Sequence, residues 1–455
     1  MTDTTATVLD QIVKAYDIRG TYPDQISAEV CRALGSGFAT FIQSEEPEAT
    51  SVVVGRDMRP SGPELVGAFA EGVMSRGLDV VDIGLCSTDM LYFASGSLDM
   101  PGAVFTASHN PAEYNGIKLC RSGAAPIGED SGLSQIKAVA SAPLVDGDRH
   151  GSRTEQDLLS AFAEHVLTFI DSSGLRPLKV IADTANGMGG LVVPEVFQSL
   201  PFELEVMYPE LDGTFPNHEA NPLVVENLAD LQARVLETGA DIGLAFDGDA
   251  DRVFLVDENA QPVSGSLTTA LLAQSILAGD PGASIIYNLI CSKVVPEAVS
   301  EAGGTPLRSR VGHSFIKATM AETGAAFGGE HSAHYYFRDN WRADSGLIAA
   351  VIVLEQLSRF DGTLSEMLAP LERYASSGEI NTRVADAAAV IDHVADHYRD
   401  ASSDRLDGLT VDLGDWWFNL RPSNTEPLLR LNLEAATNDA VATRVAEVQA
   451  VMAAT

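Results

Sequence analysis

The segment 241–256, with the sequence DIGLAFDGDADRVFLV, places Asp247, Asp249 and Asp251 at alternate positions between two apolar runs. The apolar runs on either side of the aspartates are predicted to be short buried strands. Three carboxylates so close together repel one another unless a cation lies among them. The segment therefore predicts a strand–loop–strand turn that binds a hard divalent ion, Mg²⁺ before Ca²⁺.

Two other interpretations of this turn have different requirements. A calcium-binding EF-hand loop counted from Asp247 needs Gly at its sixth position, where Arg252 stands, and it needs a helix on each side. The EF-hand is therefore excluded. A solvated acidic turn without a metal has no such requirement and remains the alternative.

Strand-like runs alternate with amphipathic helical runs along most of the 455 residues. This alternation predicts α/β units with mixed, mostly parallel sheets, followed by a smaller α+β unit at the C-terminal end. The polar stretch 142–154 is the first predicted linker. Glycine clusters at 35–37 and 187–190 are interpreted as close packing or turns, because neither completes a dinucleotide-binding pattern. The expected domains are residues 1–150, 151–256, 257–372 and 373–455.

The composition limits the partners and the compartment. The formal net charge of −35 disfavours nucleic acid and anionic membranes as partners. No apolar run reaches membrane-spanning length, and the N-terminal segment lacks the pattern of a signal peptide. The four cysteines are far apart, so a cytoplasmic protein without a disulfide framework is expected. Basic residues nevertheless gather in polar, glycine-bearing loops, which predicts a focused anion-binding cleft.

A serine-containing turn is predicted at 106–111, where the sequence TASHNP follows a strand-like run. Ser108 is expected at its apex, at the carboxyl end of a strand, where α/β sheets place ligands. The Gly-x-Ser-x-Gly pattern of a nucleophile elbow is missing. A serine beside a metal site can instead carry a phosphoryl group, whose charge the cation neutralises. A plain turn is the alternative.

Two further segments suit a sugar phosphate. In GEHSAH at 329–334, an extended backbone would direct Glu330, Ser332 and His334 to one face, where a carboxylate and a hydroxyl can bind sugar hydroxyls. Zinc is disfavoured because the His-Glu-x-x-His pattern is absent. The segment RPSNTEP at 421–427 combines an arginine fork, hydroxyls and an amide, which suit a phosphate dianion. A rigid solvated turn remains the alternative for this segment.

These four segments, in this order, resemble the α-D-phosphohexomutase superfamily and most of all its phosphomannomutase/phosphoglucomutase branch. The segments KAYDIRG at 14–20, GRDMRPS at 55–61 and RVGHSFIK at 310–317 are also similar to that family. The resemblance spans nearly the whole chain. It implies three similar α/β domains and a smaller C-terminal domain around a central cleft.

The resemblance also implies roles for individual residues. Ser108 would be a phosphoserine that ligates Mg²⁺ together with Asp247, Asp249 and Asp251. His109, Lys118 and Arg252 would flank the transferring phosphoryl group, and either Lys118 or His313 would be the general base. The residues expected to bind the substrate are Arg19, Glu330, Ser332, His334, Arg421, Ser423, Asn424, Thr425 and Arg430.

The expected reaction is the reversible interconversion of mannose 1-phosphate and mannose 6-phosphate through a 1,6-bisphosphate, with a hexose 1,6-bisphosphate as activator. Mannose and glucose differ only at C2, so glucose phosphates are expected substrates as well. Phosphoglucosamine mutase and a glucose-preferring phosphoglucomutase are alternatives within the superfamily. A Mg²⁺-dependent sugar phosphatase and a non-catalytic sugar-phosphate sensor are alternatives from other classes. A monomer or weak homodimer is expected.

Overall fold

The structure is a computed structural model that describes residues 3–143, 146–422 and 428–454. Within these residues the strands form four successive sheets, which divide the chain into four units. No helix among them is apolar over a length that would cross a bilayer.

The first unit is built on the sheet order β1-β5-β4-β2-β3-β7, with β6 paired to β5. Strands β4, β2, β3 and β7 run parallel, and β5 is antiparallel to β1 and to β4. Its strands are β1 (Ile18–Thr21), β2 (Ser51–Arg56), β3 (Asp79–Leu85), β4 (Gly102–Phe105), β5 (Tyr114–Arg121), β6 (Ala125–Pro126) and β7 (Arg153–Glu155), and its helices are α1 (Asp3–Ile12), α2 (Ala28–Glu45), α3 (Gly62–Met74), α4 (Thr88–Leu98) and α5 (Leu133–Ala140). The predicted linker thus contributes β7, so the first sheet extends past residue 150.

The second unit has the sheet order β12-β11-β10-β8-β9, and the third has β14-β13-β15-β16. The second contains β8 (Lys179–Asp183), β9 (Glu203–Met207), β10 (Ile242–Phe246), β11 (Val253–Asp257), β12 (Pro262–Val263), α6 (Leu159–Leu167), α7 (Gly189–Phe197) and α8 (Ala229–Thr238). The third contains β13 (Ser284–Asn288), β14 (Thr305–Ser309), β15 (Phe327–Gly329), β16 (Tyr335–Phe337), α9 (Gly265–Gly279), α10 (Val294–Glu301), α11 (His313–Thr323), α12 (Gly346–Arg359) and α13 (Leu364–Leu368).

The fourth unit is an antiparallel sheet in the order β17-β21-β20-β19-β18 with two helices against it. Its elements are β17 (Ala375–Arg383), β18 (Ser402–Asp404), β19 (Leu409–Asp412), β20 (Trp416–Pro422), β21 (Leu428–Ala435), α14 (Ala387–His397) and α15 (Asn438–Ala453). Short 3₁₀ turns lie at Glu129–Ser131, Val225–Leu228, Arg338–Asn340 and Ala369–Leu371.

The first three units share one strand order. In each unit, the first of four strands lies in the centre and pairs in parallel with the second strand on one side and with the third on the other. The fourth strand pairs antiparallel with the third. The quartets are β3-β2-β4-β5, β9-β8-β10-β11 and β14-β13-β15-β16. The prediction of similar α/β units followed by a smaller α+β unit is therefore confirmed.

Hydrophobic packing joins these three units and leaves the fourth with a core of its own. Phe93 of the first unit, Val180 of the second and Leu347 of the third belong to one continuous cluster. The fourth unit packs its own apolar residues, among them Phe418 and Leu431. Apolar burial is the main source of packing energy, so among the described residues one shared core joins the first three units, whereas the fourth packs around a core of its own.

Glycine allows the closest helix contact in the first unit. A Cβ atom on Gly35 would lie 2.1 Å from the carbonyl oxygen of Phe69, and one on Gly72 would lie 2.0 Å from that of Arg32. Any larger residue would push α2 and α3 apart. The interpretation of the 35–37 cluster as a packing site is confirmed.

Candidate active site

Three of the predicted functional segments occupy the same place in their units. Each connects the last parallel strand to the antiparallel strand beside it: β4 to β5 for Ser108, β10 to β11 for the aspartates, and β15 to β16 for Glu330. Each loop therefore leaves the carboxyl end of a strand next to the point where the strand order reverses, which is where open α/β sheets bind ligands.

The serine loop of the first unit contacts the aspartate loop of the second. Ser108 has a left-handed backbone with φ of 49°, and its Oγ donates a hydrogen bond to Asp247 Oδ2 at 2.8 Å. Gly248 permits this contact, because a Cβ atom there would lie 2.4 Å from the carbonyl oxygen of Ser108. The structure thus brings the predicted phosphoserine into direct contact with a predicted metal ligand.

The three aspartates form a buried cluster. One carboxylate oxygen of each lies within 4.8 Å of the others. Asp249 Oδ1 and Asp251 Oδ1 are buried and accept no hydrogen bond from the described residues. Buried carboxylate oxygens without a donor are costly unless a cation compensates them. These residues therefore fit a hard divalent ion ligated by oxygen.

Lys118 supplies a fixed positive charge beside this cluster. Its Nζ lies 2.7 Å from Asp249 Oδ2 and 2.6 Å from Asp251 Oδ2. Burial acts to lower the pKa of Lys118, but the two carboxylates outweigh burial and raise the pKa well above its ordinary value. The side chain is therefore an ammonium that partly neutralises the aspartates. Thr88, which the sequence did not point to, also donates to Asp249 Oδ2 at 2.6 Å.

On the other side of Ser108, Arg252 and His109 form a second basic group. Arg252 donates to Asp247 Oδ2 through Nε at 2.9 Å, and its Nη2 lies 2.5 Å from His109 Nδ1. Burial and then the charge of Arg252 hold the pKa of His109 well below its ordinary value, so the imidazole is neutral. Its Nδ1 also lies 3.1 Å from Ser108 Oγ. Arg19 approaches the same loop by donating to Asn110 Oδ1 at 2.5 Å.

A buried guanidinium, that of Arg59, holds the serine loop in place; the sequence indicated it only as one of the basic loop residues expected at an anion-binding cleft. Arg59 is 1% exposed and pairs with buried Asp57 at 3.2 Å. Its other four N–H groups donate to main-chain carbonyl oxygens of the serine loop, those of Ser108, Asn110, Pro111 and Tyr114. All five guanidinium donors are therefore used. Its partners are main-chain oxygens brought close by folding, which no sequence pattern reveals.

The segment that carries Glu330 is a tight turn, and the prediction of an extended backbone there is wrong. Ala333 has a left-handed φ of 64°, and the amide of Glu330 donates to the carbonyl oxygen of His334 at 3.0 Å. The antiparallel pairing of β15 with β16 requires the chain to reverse here, so side chains no longer alternate. Ser332 instead lines a cleft of 1110 Å³ between the second, third and fourth units.

The Glu330 carboxylate is buried and has partners on both oxygens. Oε1 accepts a hydrogen bond from Tyr336 Oη at 2.7 Å, and Oε2 accepts from Asn288 Nδ2 at 2.9 Å and from the amide of Gly312 at 3.2 Å. These bonds fix its orientation at the base of the turn, and Glu330 is only 2% exposed.

A buried ion-pair network lies between this turn and the aspartates. His334 Nδ1 is 2.9 Å from Asp344 Oδ2, and Lys317 Nζ is 2.9 Å from Asp344 Oδ1. A ring nitrogen of His334 and a carboxylate oxygen of Asp251 lie within 4.8 Å of one another, so His334 is near the aspartate loop. His313, at the start of α11, packs its ring 5.3 Å from that of Tyr16. Burial, then the charge of Lys317, lowers the pKa of His313 to about 3, which leaves it neutral.

Two arginines face the cleft from the fourth unit. Arg421 and Arg430 are directly paired across β20 and β21, and both line the cleft with Ser332. Like charges at opposed positions repel, so this pair suits a ligand with concentrated negative charge. The predicted phosphate-binding residues Ser423, Asn424 and Thr425 lie outside the described residues.

Comparison with known proteins identifies the family to which the chain belongs. The phosphoglucomutase/phosphomannomutase family is represented by four domain models that match the chain in order: α/β/α domain I at residues 10–142, domain II at 160–261, domain III at 264–374 and the C-terminal domain at 379–451.

Relatives match over nearly the full length. The chain is 41% identical over 426 residues to a protein named phosphohexose mutases from Xanthomonas campestris pv. campestris (strain B100), with 92% of this chain and 94% of that one covered. It is 40% identical over 434 residues to the phosphomannomutase of Escherichia coli (strain K12), with 93% and 94% covered.

A crystal structure of a phosphoglucomutase/phosphomannomutase family protein from Burkholderia thailandensis superposes with a TM-score of 0.90 at 35% identity, covering 97% of each chain. The resemblance found in the sequence is thereby confirmed. This chain belongs to the phosphoglucomutase/phosphomannomutase family of phosphohexomutases.

Proposed function

We propose that this protein is a phosphomannomutase that interconverts mannose 1-phosphate and mannose 6-phosphate through a phosphoserine and a 1,6-bisphosphate. The observation that carries the proposal is the 2.8 Å hydrogen bond from Ser108 Oγ to Asp247 Oδ2. It joins a phosphorylatable hydroxyl to a carboxylate cluster suited to a divalent cation. The phosphomannomutase relatives support the choice of reaction.

In this proposal Ser108, Asp247, Asp249 and Asp251 hold Mg²⁺. When bound there, the ion would supply positive charge that offsets the negative charge of the phosphoryl oxygens. Arg252 and His109 lie beside Ser108 Oγ, and Lys118 lies across the aspartates, so fixed donors surround the position of the transferring group. Such preorganised charge is the main means by which proteins accelerate phosphoryl transfer.

The first transfer breaks the bond between Ser108 Oγ and phosphorus as O6 of mannose 1-phosphate bonds to that phosphorus, and the O6 proton passes to a base. The bisphosphate then turns round in the cleft. Ser108 Oγ takes the phosphoryl group from O1, the protonated base returns its proton to O1, and mannose 6-phosphate is released. Of the two candidate bases, Lys118 is an ammonium paired with Asp249 and Asp251 and has no free electron pair for a proton, so the neutral imidazole of His313 is the proposed base. His313→Ala should lose phosphoryl transfer and keep substrate binding.

Arg421 and Arg430, with Ser423, Asn424 and Thr425, bind the phosphate that is not reacting. Glu330, Ser332, His334 and Arg19 contact the sugar and its near phosphate. No residue is assigned to the C2 hydroxyl, so glucose phosphates are substrates too. A hexose 1,6-bisphosphate reloads a dephosphorylated serine.

The cytoplasm is the proposed location, because the four cysteines are buried free thiols. A monomer or weak homodimer is proposed.

A coupled assay on mannose, glucose and glucosamine 1-phosphates tests the substrate, and intact-mass measurement tests the chemistry. After incubation with a hexose 1,6-bisphosphate, the wild type should gain the mass of one phosphoryl group and Ser108→Ala should not. A sugar phosphatase that uses an aspartate nucleophile would release inorganic phosphate and would keep that activity in Ser108→Ala. A sensor would bind the sugar phosphate without turnover.

A further inference from the structure

The arginine pair of the fourth unit has an internal carboxylate as its partner. Glu379 Oε2 lies 3.3 Å from Arg421 Nη2 and 3.6 Å from Arg430 Nη1. The Nε atoms of both arginines are buried and have no hydrogen-bond partner among the described residues. One carboxylate therefore serves two guanidinium groups, and the groups described in the structure leave both Nε–H donors without an acceptor.

Strand register explains why this carboxylate reaches both arginines. Arg421 pairs with Arg430, Arg430 pairs with Asn381, and Glu379 lies two residues along β17 on the same face as Asn381. Glu379 is thus the diagonal neighbour of Arg430, within reach of a long side chain. A register shift between Ser376 and Glu379 marks a β-bulge, a feature that re-aims side chains.

The position of Glu379 conflicts with the ligand proposed for this site. Glu379 lines the same cleft as Arg421, Arg430 and Ser332. A phosphate dianion bound by both guanidinium groups would stand where the carboxylate now stands, and the two negative charges would repel. Without Glu379, the arginines would repel each other across the strands. The carboxylate therefore stabilises the site before a phosphate arrives.

We propose that Glu379 is an internal competitor for the substrate phosphate: it neutralises Arg421 and Arg430 in the free protein and must leave them when phosphate binds. This inference rests on the proposed function, since it takes the arginine pair as the phosphate site. Displacing the carboxylate consumes part of the binding free energy, which keeps the bound phosphate weakly held. A bisphosphate that has to release one end and turn round benefits from such weak binding.

The test is titration of the full-length protein with inorganic phosphate at low ionic strength by calorimetry. Glu379→Gln keeps the shape of the side chain and removes its charge, so the dissociation constant should fall by about three- to ten-fold. The matched control is Glu372→Gln, which removes one charge from the wall of the same cleft without touching either arginine. Its dissociation constant should change by less than about two-fold, and raising the salt concentration should shrink the Glu379→Gln effect.

The opposite sign would overturn the proposal. If Glu379→Gln binds phosphate equally or more weakly, and Glu379→Ala does the same, the carboxylate orients the arginines and does not compete. An Arg421→Gln variant separates this failure from that of the proposed function. If its dissociation constant equals that of the wild type, the arginine pair is not the phosphate site, and both this inference and the phosphate-binding role given to the pair fall, whereas the phosphoserine chemistry is judged by the intact-mass experiment.

Discussion

Arg59 donates a hydrogen bond from Nη2 to the carbonyl oxygen of Ser108 at 3.1 Å, and so fixes the backbone of the residue whose side chain meets the aspartates. Arg59→Lys keeps the charge beside Asp57 but cannot reach four carbonyl oxygens at once. We expect kcat to fall by about 10- to 100-fold with a small change in KM, because the serine is displaced while the binding residues are untouched.

Steady-state kinetics and a melting curve measure this outcome. The matched control is Arg56→Lys, since Arg56 is half-buried in the same segment and its guanidinium has no hydrogen-bond partner in the described part of the chain. Unchanged kcat in Arg59→Lys would show that the serine loop holds its shape without the guanidinium.

Gly248→Ala tests the contact between the serine and aspartate loops. The added methyl group would lie 2.4 Å from the carbonyl oxygen of Ser108, so the loops must separate. A displacement of about 1 Å at reacting atoms can cost about 100-fold in rate, and we expect a loss of that order. Gly67→Ala in α3 is the control, because a Cβ there meets no atom within 4 Å. Equal kcat in the two variants would refute the argument.

Magnesium should stabilise the protein against heat. Because three carboxylates repel one another in the buried cluster, an ion that binds only the folded state raises the melting temperature. Chelation with EDTA should abolish activity and lower Tm, and Mg²⁺ should restore both better than Ca²⁺. In Asp249→Asn the Mg²⁺-dependent rise in Tm should shrink or vanish. A rise as large as that of the wild type would exclude the aspartates as ligands.

His218 and His165 should contribute in opposite directions to the pH dependence of the free energy of unfolding. His218 lies 3.0 Å from Asp183; burial acts to lower its pKa, but the carboxylate outweighs burial and raises it. Its contribution is therefore full below the unfolded pKa of about 6.5 and is lost as the pH rises through the folded value. Burial lowers the pKa of His165, so its contribution is present above about pH 6.5 and is lost as the pH falls.

Urea unfolding of the full-length protein at pH 5.5 and pH 8.5 measures the difference. Compared with the wild type, His218→Asn should cost more unfolding free energy at pH 5.5 than at pH 8.5. His165→Asn should show the reverse trend. The same trend in both variants would contradict the two assignments.

The strands on either side of the aspartate loop could be predicted because each is a continuous apolar run beside a polar loop. Expected strands at 241–246 and 253–256 compare with Ile242–Phe246 and Val253–Asp257 in the structure. The Glu330 turn could not be predicted in the same way, because its reversal depends on β16 pairing with β15 and not on its own residues.

Arg59 and Glu379 show a second limit of prediction from the sequence. Both act on groups that lie about 40 to 50 residues away along the chain. Their partners are selected by tertiary contact and strand register, so an isolated segment gives no sign of them. The common strand order of the first three units is hidden for a similar reason: topology constrains which positions are buried but leaves most residue types free.

The equivalent loops of the first three units divide the chemistry among them. One unit offers the Ser108 hydroxyl, another the three carboxylates and the third the turn that carries Glu330, and none of these three loops holds the groups of the other two. An isolated unit would consequently be inert even if it folded perfectly. Catalytic turnover therefore reports whether the units of a newly made chain have packed against one another correctly.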